Sequence, residues 1–292
     1  MRTIYILMLI FIFFSCQNSR NERQNVPDTE IVMVDPDTPQ NTNVKLESDE
    51  LNNTRTLGNS GLNPGIAATM QKAELPQSII TGILTDSALN GNFITDLNNS
   101  LQGDHFLRIL VDKQNALPHG YAPTDIVPLR NGGSYQVSRN DLSLRRVAAA
   151  ALEEMAAAAR ADGITLVVAS SYRSFDYQTQ VYNRYVNQMG QAAADRISAR
   201  PGHSQHQLGM VVDFGPIDNS FAQSPAGRWV AANASRFGWS LSYPQNFETI
   251  TGYSWESWHY RYVGRNLAAF IDRYFEGIQQ HALRFIHEWE QI

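Results

Sequence analysis

Ser204-Gln205-His206-Gln207-Leu208-Gly209-Met210-Val211-Val212-Asp213 is the stretch on which the reading of this chain turns, together with the later Glu256-Ser257-Trp258-His259. The two segments supply two histidines, one aspartate and one glutamate. Such a set suits a catalytic zinc ion, which keeps three protein ligands and one open position. Glu256, three residues before His259, can act as base toward a zinc-activated water. His206 and Asp213 are seven residues apart, which excludes a simple helical pair and fits a turn entering a strand. Residues 210–214 are therefore expected to form a strand with Asp213 near its end. Glu256 and His259 would lie on opposite faces of an ideal strand, so both reach one metal only where the chain bends or bulges. His203 competes with His206 as a ligand, since the two would be neighbours on a helix. Plainer readings stand beside these. A strand histidine can be structural, Asp213 can cap a turn before Gly215-Pro216, Glu256 can be a solvated edge charge, and Arg173 a surface ion-pair partner.

Working outward, residues 106–111 (Phe-Leu-Arg-Ile-Leu-Val) read as a strand, followed by a Leu117-Pro118 turn and an apolar stretch at 126–129. Residues 142–160 are Ala-rich, and Leu144, Val147, Ala151, Leu152 and Met155 share one helical face. Asn140 or Asp141 can cap that helix and Gly163 follows its end. Residues 164–170 form a short buried strand, 176–196 a helix, 224–237 another helix, and 239–243 and 254–263 strands. Residues 266–289 close the chain as one long amphipathic helix. Strands and helices mix without regular βαβ alternation, so the expected class is α+β, an antiparallel sheet with flanking helices.

The chain has 292 residues, 43% of them hydrophobic, and a formal net charge of −5. That length serves one sizeable domain with extensions, and the charge offers no basic stripe for a nucleic acid. Cys16 is the only cysteine, so neither a disulfide framework nor a cysteine metal site is available. Residues 4–14 are an unbroken apolar run behind Arg2, with the length of a signal-peptide core rather than a membrane span. The run ends in Phe13-Phe14-Ser15-Cys16, which resembles a bacterial lipoprotein cleavage box; an ordinary secretory signal is the alternative. Residues 1–16 are thus expected to be a leader and residues 17–74, rich in Asn, Asp, Thr and Pro, a disordered tether. The folded domain is expected over 75–292.

These motifs, in this order, resemble the zinc D-Ala-D-Ala carboxypeptidase family, the VanY and LdcB-like group of bacterial cell-wall peptidases. The Ser-x-His-x-x-Gly-x-x-x-Asp pattern falls on Ser204, His206, Gly209 and Asp213, and Glu-x-Trp-His on Glu256, Trp258 and His259. Ser171-Tyr172-Arg173-Ser174 with Gln180, and the entry segment 117–129, extend the match over about residues 107–264. The resemblance implies His206, Asp213 and His259 as zinc ligands and Glu256 as catalytic base. Arg173 would assist catalysis and, with Gln180 and Ser204, line the substrate site. The implied fold is the small sheet with flanking helices shared with the Hedgehog signalling domain. Two positions depart from the family: Gln205 stands where Glu is common and Ser257 where Pro is common.

The expectation is therefore a zinc D,D-carboxypeptidase that removes the terminal D-alanine of peptidoglycan stem peptides. It would be exported, held at a membrane through lipid on Cys16, and monomeric, with no nucleic-acid partner. Within the class, the rival is an L,D-carboxypeptidase acting on tetrapeptide stems; outside it, a zinc-containing wall-binding module without catalysis. The presence of Glu256 counts against the last.

Overall fold

Val211, Val212, Asp213 and Phe214 are all buried, so this β-branched and aromatic run forms a strand covered on both faces. The computed structural model describes residues 64–292; the expected leader with Cys16, and tether residues 17–63, lie outside the described residues. The described residues open with helices α1 (Pro64–Lys72), α2 (Gln77–Thr85) and α3 (Ser87–Ser100). Strands β1 (Ile126–Pro128), β2 (Gln136–Val137) and β3 (Ser143–Arg145) lead into helix α4 (Arg146–Ala161) and strand β4 (Val167–Ser170). Helices α5 (Phe175–Met189) and α6 (Gln191–Ile197) precede strand β5 (Val211–Phe214), helix α7 (Pro225–Asn233) and strand β6 (Trp239–Leu241). Helix α8 (Glu248–Thr251), strand β7 (His259–Tyr262) and helices α9 (Arg265–Tyr274) and α10 (Gln279–Trp289) complete it.

The main sheet has the order β2-β4-β5-β7-β6. Only the β2–β4 pair is parallel; the remaining neighbours are antiparallel, as the α+β expectation requires. Helix α4 contributes Ala148, Ala151, Leu152, Met155, Ala156 and Ala159 to one core with Val168, Val212 and Phe214. Their i, i+3, i+4 spacing makes one apolar stripe, and the alanines allow close approach. A second core joins Ile66, Met70, Ile80, Phe93 and Leu97 of α1–α3 to Phe270, Ile271, Phe285 and Ile286 of α9 and α10. The Phe93 ring lies 5.4, 4.9 and 5.6 Å from those of Phe270, Tyr274 and Phe285.

Several sequence expectations are corrected. The tether does not run to residue 74: α1 begins at Pro64 and buries Ile66 and Met70, a four-residue spacing too short to register in polar surroundings. Residues 106–111 are not a strand. They form a 3-10 turn, His105–Leu107, and then the carbonyls of Leu107 and Ile109 accept from the buried Arg261 Nη2 at 3.1 and 3.0 Å. A side chain thus takes the bonds a ladder would need. Leu144 belongs to β3, paired with Val127, and α4 starts after it with no cap from Asn140 or Asp141. The expected 176–196 helix is two helices broken at Gly190, whose φ of +80° is open to glycine at little cost. The closing helix is likewise two, because Glu276 and Gly277 reverse the chain at φ +54° and +75°.

His281 in α10 is buried, with Nδ1 lacking a hydrogen-bond partner. Burial, aided by Arg284, pushes its imidazole down to about 4 from 6.5. Between those pH values the unfolded chain binds a proton that the folded chain refuses. The stability owed to neutral His281 is complete above pH 6.5 and is lost as pH falls toward 4. Thermal melts across this window should show His281→Gln flattening the acid loss by on the order of 1 kcal/mol; an unchanged pH slope would contradict it.

Candidate active site

Gly209 makes the first metal segment possible. It ends the 3-10 turn Gln205–Leu208 in the left-handed region, at φ +71°. A Cβ there would stand 2.7 Å from Ile126 Cδ1 and 2.9 Å from Arg145 Cγ. The reversal places His206 before the turn and Asp213 in β5, so both side chains return to one point. The antiparallel β5–β7 register sets Asp213 opposite His259. Glu256 is not in β7 at all. It lies in the turn before it, where its carbonyl accepts from the His259 backbone N–H at 3.2 Å. The parity conflict between Glu256 and His259 disappears because the strand begins at His259.

His206, Asp213 and His259 offer ligand atoms all within 4.8 Å of one another, and all three residues are buried. His206 Nε2 lies 3.2 Å from Asp213 Oδ2, and His259 Nδ1 lies 3.1 Å from Asp213 Oδ1. Each imidazole is oriented from its far side. His206 Nδ1 donates to the Ser171 carbonyl at 2.7 Å, leaving the Nε2 lone pair facing the site. His259 Nε2 donates to Gln205 Oε1 at 3.3 Å, leaving Nδ1 facing it. Such outer partners fix ligand tautomer and ring angle. Asp213 Oδ1 is buried, with His259 Nδ1 at 3.1 Å and no other hydrogen-bond partner, so with a neutral imidazole it is open to a cation. Two imidazole nitrogens and a carboxylate make the three-ligand set of a catalytic zinc site.

Gln205 thus has a role the sequence did not suggest. Its Oε1 also accepts from Ser242 Oγ at 2.7 Å, and its amide donates to Gln279 Oε1 at 3.3 Å. Gln279 in turn donates to the Ser240 carbonyl at 3.2 Å. A chain of buried amides therefore connects α10 to His259 of the donor set. Where the family commonly has a carboxylate, this protein has a neutral acceptor.

Arg173 borders the donor set, with Nη2 3.0 Å from His206 Nε2 and 3.1 Å from Asp213 Oδ2. Ser170 Oγ accepts from its Nε and Nη2 at 3.3 and 3.1 Å, and Gln178 Oε1 from Nη1 at 3.2 Å. The glutamine that touches the site is therefore Gln178, fully buried, and not Gln180, which is exposed and does not line the cleft. Two residues along a helix rotate a side chain by about 200°, so Gln180 points away. The Ser174 cap, which accepts from the Tyr177 N–H, sets this phase and is the signal that could have shown it. Ser204 is buried and lines the cleft. His203 is excluded from the donor set: its Nδ1 bonds to the Asp112 carbonyl at 2.7 Å, and it lines a separate, smaller cavity.

Burial, aided by the charge of Arg173, pushes His206 down to about 4. Burial opposes a charge on His259 too, yet the Asp213 and Glu256 carboxylates outweigh it and push that imidazole up to about 9. Against its own burial, Asp213 is held well below the usual carboxylate range by His206 and His259. Glu256 is raised, by burial first and by the Asp213 charge, although His259 opposes the shift. A raised carboxyl is a stronger base than an ordinary one, which suits it to taking a proton and returning it.

The site opens into a cleft of about 470 Å³ lined by Arg173, Ser204, Glu256, Trp258 and the donor set. A family model described as VanY, D-alanyl-D-alanine carboxypeptidase, matches residues 141–265. The D-alanyl-D-alanine carboxypeptidase of Enterococcus faecalis V583 is 32% identical over 226 residues, covering 73% of this chain and 80% of that protein. The chain belongs to the VanY carboxypeptidase family. Among solved structures, the LD-carboxypeptidase LdcB shares 35% identity over 58% of this chain and 85% of its own, with a TM-score of 0.52. A vancomycin-resistance D,D-pentapeptidase VanY variant, in complex with Zn(II), shares 33% identity over 61% and 98%, with a TM-score of 0.50. This VanY-family chain is an enzyme of the metallopeptidase type, and its His/Asp/His group can hold a metal. Its helices α1–α3 and α10 lie outside the segment matched by the family model.

Two metal-binding outcomes follow from this geometry. His206→Ala should lose the metal and His203→Ala should retain it, as read by metal content after gel filtration; the reverse pattern would displace His206. Gln205→Leu should weaken metal binding roughly 10–100-fold in chelator competition, whereas an unchanged affinity would remove Gln205 from the site.

Proposed function

We propose that this enzyme removes the terminal D-alanine from peptidoglycan stem pentapeptides, using zinc held by His206, Asp213 and His259. The observation that carries the reading is the placement of Glu256: partly buried, its carboxyl raised, with Oε2 3.2 Å from His259 Nδ1 at the edge of the donor set. A binding module without catalysis has no use for such a base. Zinc, when bound, supplies a Lewis acid that lowers the pKa of water and polarises the scissile carbonyl. Glu256 takes the proton of the attacking water at its carboxylate and returns it to the nitrogen of the departing D-alanine. Arg173, its fork fixed by Ser170 and Gln178, stabilises negative charge on the substrate, either the developing oxyanion or the terminal carboxylate. Ser204 lines the same cleft and adds a hydroxyl to the substrate surface.

D,D cleavage is the leading reading because the family model and the E. faecalis relative both carry the D-alanyl-D-alanine description. The L,D alternative, acting on tetrapeptides, is favoured by the likeness to LdcB, at 35% identity. The proposed place of action is the cell envelope, reached through the leader with lipid on Cys16; growth with a radiolabelled fatty acid should label the chain, and Cys16→Ala should abolish the label.

Incubating the zinc-loaded protein with penta- and tetrapeptide muropeptides, followed by mass analysis, separates the readings. Loss of one alanine from the pentapeptide alone is expected; loss from the tetrapeptide instead would establish L,D cleavage, and no product from either would sink the enzymatic reading. Glu256→Gln should keep its metal and lose at least about 100-fold in kcat. Retained turnover would remove Glu256 as the base.

A further inference from the structure

Beyond the metal end, the cleft has a charge pattern that the chemistry of bond cleavage does not use. Its carboxylates, among the described lining residues, are Asp213 and Glu256 alone, both committed at the metal. Its arginines are Arg173, Arg139 and Arg184. In a chain of net charge −5, the lining away from the donor set thus carries Arg139 and Arg184 and no carboxylate. Helix α5 builds that wall. Tyr177, Val181, Arg184 and Tyr185 line the cleft, and their i, i+4, i+7, i+8 spacing puts them on one helical face.

Arg184 is exposed and makes no ion pair among the described residues; its guanidinium lies 5.9 Å from the Tyr185 ring centroid. Arg139 stands near the start of the same face, donating to Tyr177 Oη at 3.3 Å and pairing with Asp141 at 2.9 Å. An exposed arginine fork beside an aromatic ring, facing a cleft, can pair bidentately with a carboxylate. Its place along α5 sets which part of a substrate it can meet. Gln178 touches Arg173, and Arg184 lies six residues further along α5, about 9 Å of helix rise. An extended peptide covers about 3.3–3.6 Å per residue, so for a substrate lying along α5 from Arg173 this rise spans about two to three residues upstream.

We propose that Arg184, with Arg139 behind it, forms an upstream subsite that reads a free carboxylate on the stem peptide, so that the enzyme distinguishes carboxylate from carboxamide stems. The inference rests on the stem-peptide reading of the cleft. Two groups have the required chemistry and position: the α-carboxylate of a γ-linked glutamate at the second residue, and the side-chain carboxylate of a diaminopimelate at the third.

Calorimetry on the zinc-loaded Glu256→Gln chain tests it, using pentapeptides ending in D-Ala-D-Ala. One pair differs only in a free or amidated glutamate carboxylate, with lysine at the third position. A second pair differs only in a free or amidated diaminopimelate carboxylate. In one of the pairs the carboxylate peptide should bind roughly ten-fold more tightly, and the pair that responds identifies the residue read. Adding Arg184→Gln should bring that ratio close to one, while Arg184→Lys should keep part of it. With Glu256 intact, Arg184→Gln should act on KM for the carboxylate peptide and not on kcat. Pentapeptides bound and cleaved with no preference in either pair, or a preference that survives Arg184→Gln, would overturn the subsite and leave the carboxypeptidase reading standing. Failure to bind or cleave any pentapeptide would overturn both.

Discussion

The antiparallel register that sets Asp213 opposite His259 is the constraint on which the rest of the site depends. It brings a ligand from each of two adjacent strands to one face at the ends where they meet. A slip of one residue in either strand would turn its ligand to the other face. The left-handed turn at Gly209 fixes the phase from the other side, because it decides where β5 begins and returns His206 to Asp213. Burial does the remainder. With donor atoms out of water and their far sides already hydrogen-bonded, the open valences converge on one point.

Around this register lies a polar layer that ties the sheet to helices outside the segment matched by the family model. Gln279 reaches Gln205, which orients His259, and the adjacent Gln280 donates to Asp112 at 2.6 Å. Asp112 in turn accepts from the His203 ring through its carbonyl. Two consecutive glutamines at the start of α10 thus support both the ligand His259 and the segment leading into His206. Buried polar chains of this kind are favourable only when each member is satisfied. They give the second core, built from α1–α3, α9 and α10, a mechanical link to the metal ligands. Arg261 plays a related part, holding the irregular 107–109 segment against β7 through two carbonyls.

That His206, Asp213 and His259 meet is legible in the sequence because each sits in a short motif whose neighbours carry the geometry: Gly209 for the turn, the valines for the strand, Glu256 and Trp258 beside His259. The strand at 211–214 is legible from its β-branched and aromatic run, and the Ala-rich helix from its periodicity. What escaped reading depended on contacts distant in sequence. Residues 106–111 look like a strand and are not one, since Arg261, far along the chain, takes their carbonyls. The resemblance points to Gln180, but the residue that reaches Arg173 is Gln178, because the two side chains face about 200° apart on α5. Gln205 looked like a silent departure, and only the folded neighbourhood of Ser242, Gln279 and His259 gives it a task. The breaks at Gly190 and Gly277 fall inside runs whose amphipathic pattern continues across them.

Anomalous diffraction at the zinc edge, on crystals of the protein purified with its metal, tests the central claim most directly. The account predicts one strong peak bonded by His206 through Nε2, His259 through Nδ1 and a carboxylate oxygen of Asp213, at about 2.0–2.2 Å. A peak on His203, ligation through the opposite imidazole nitrogens, or no peak at the three-residue cluster would contradict it.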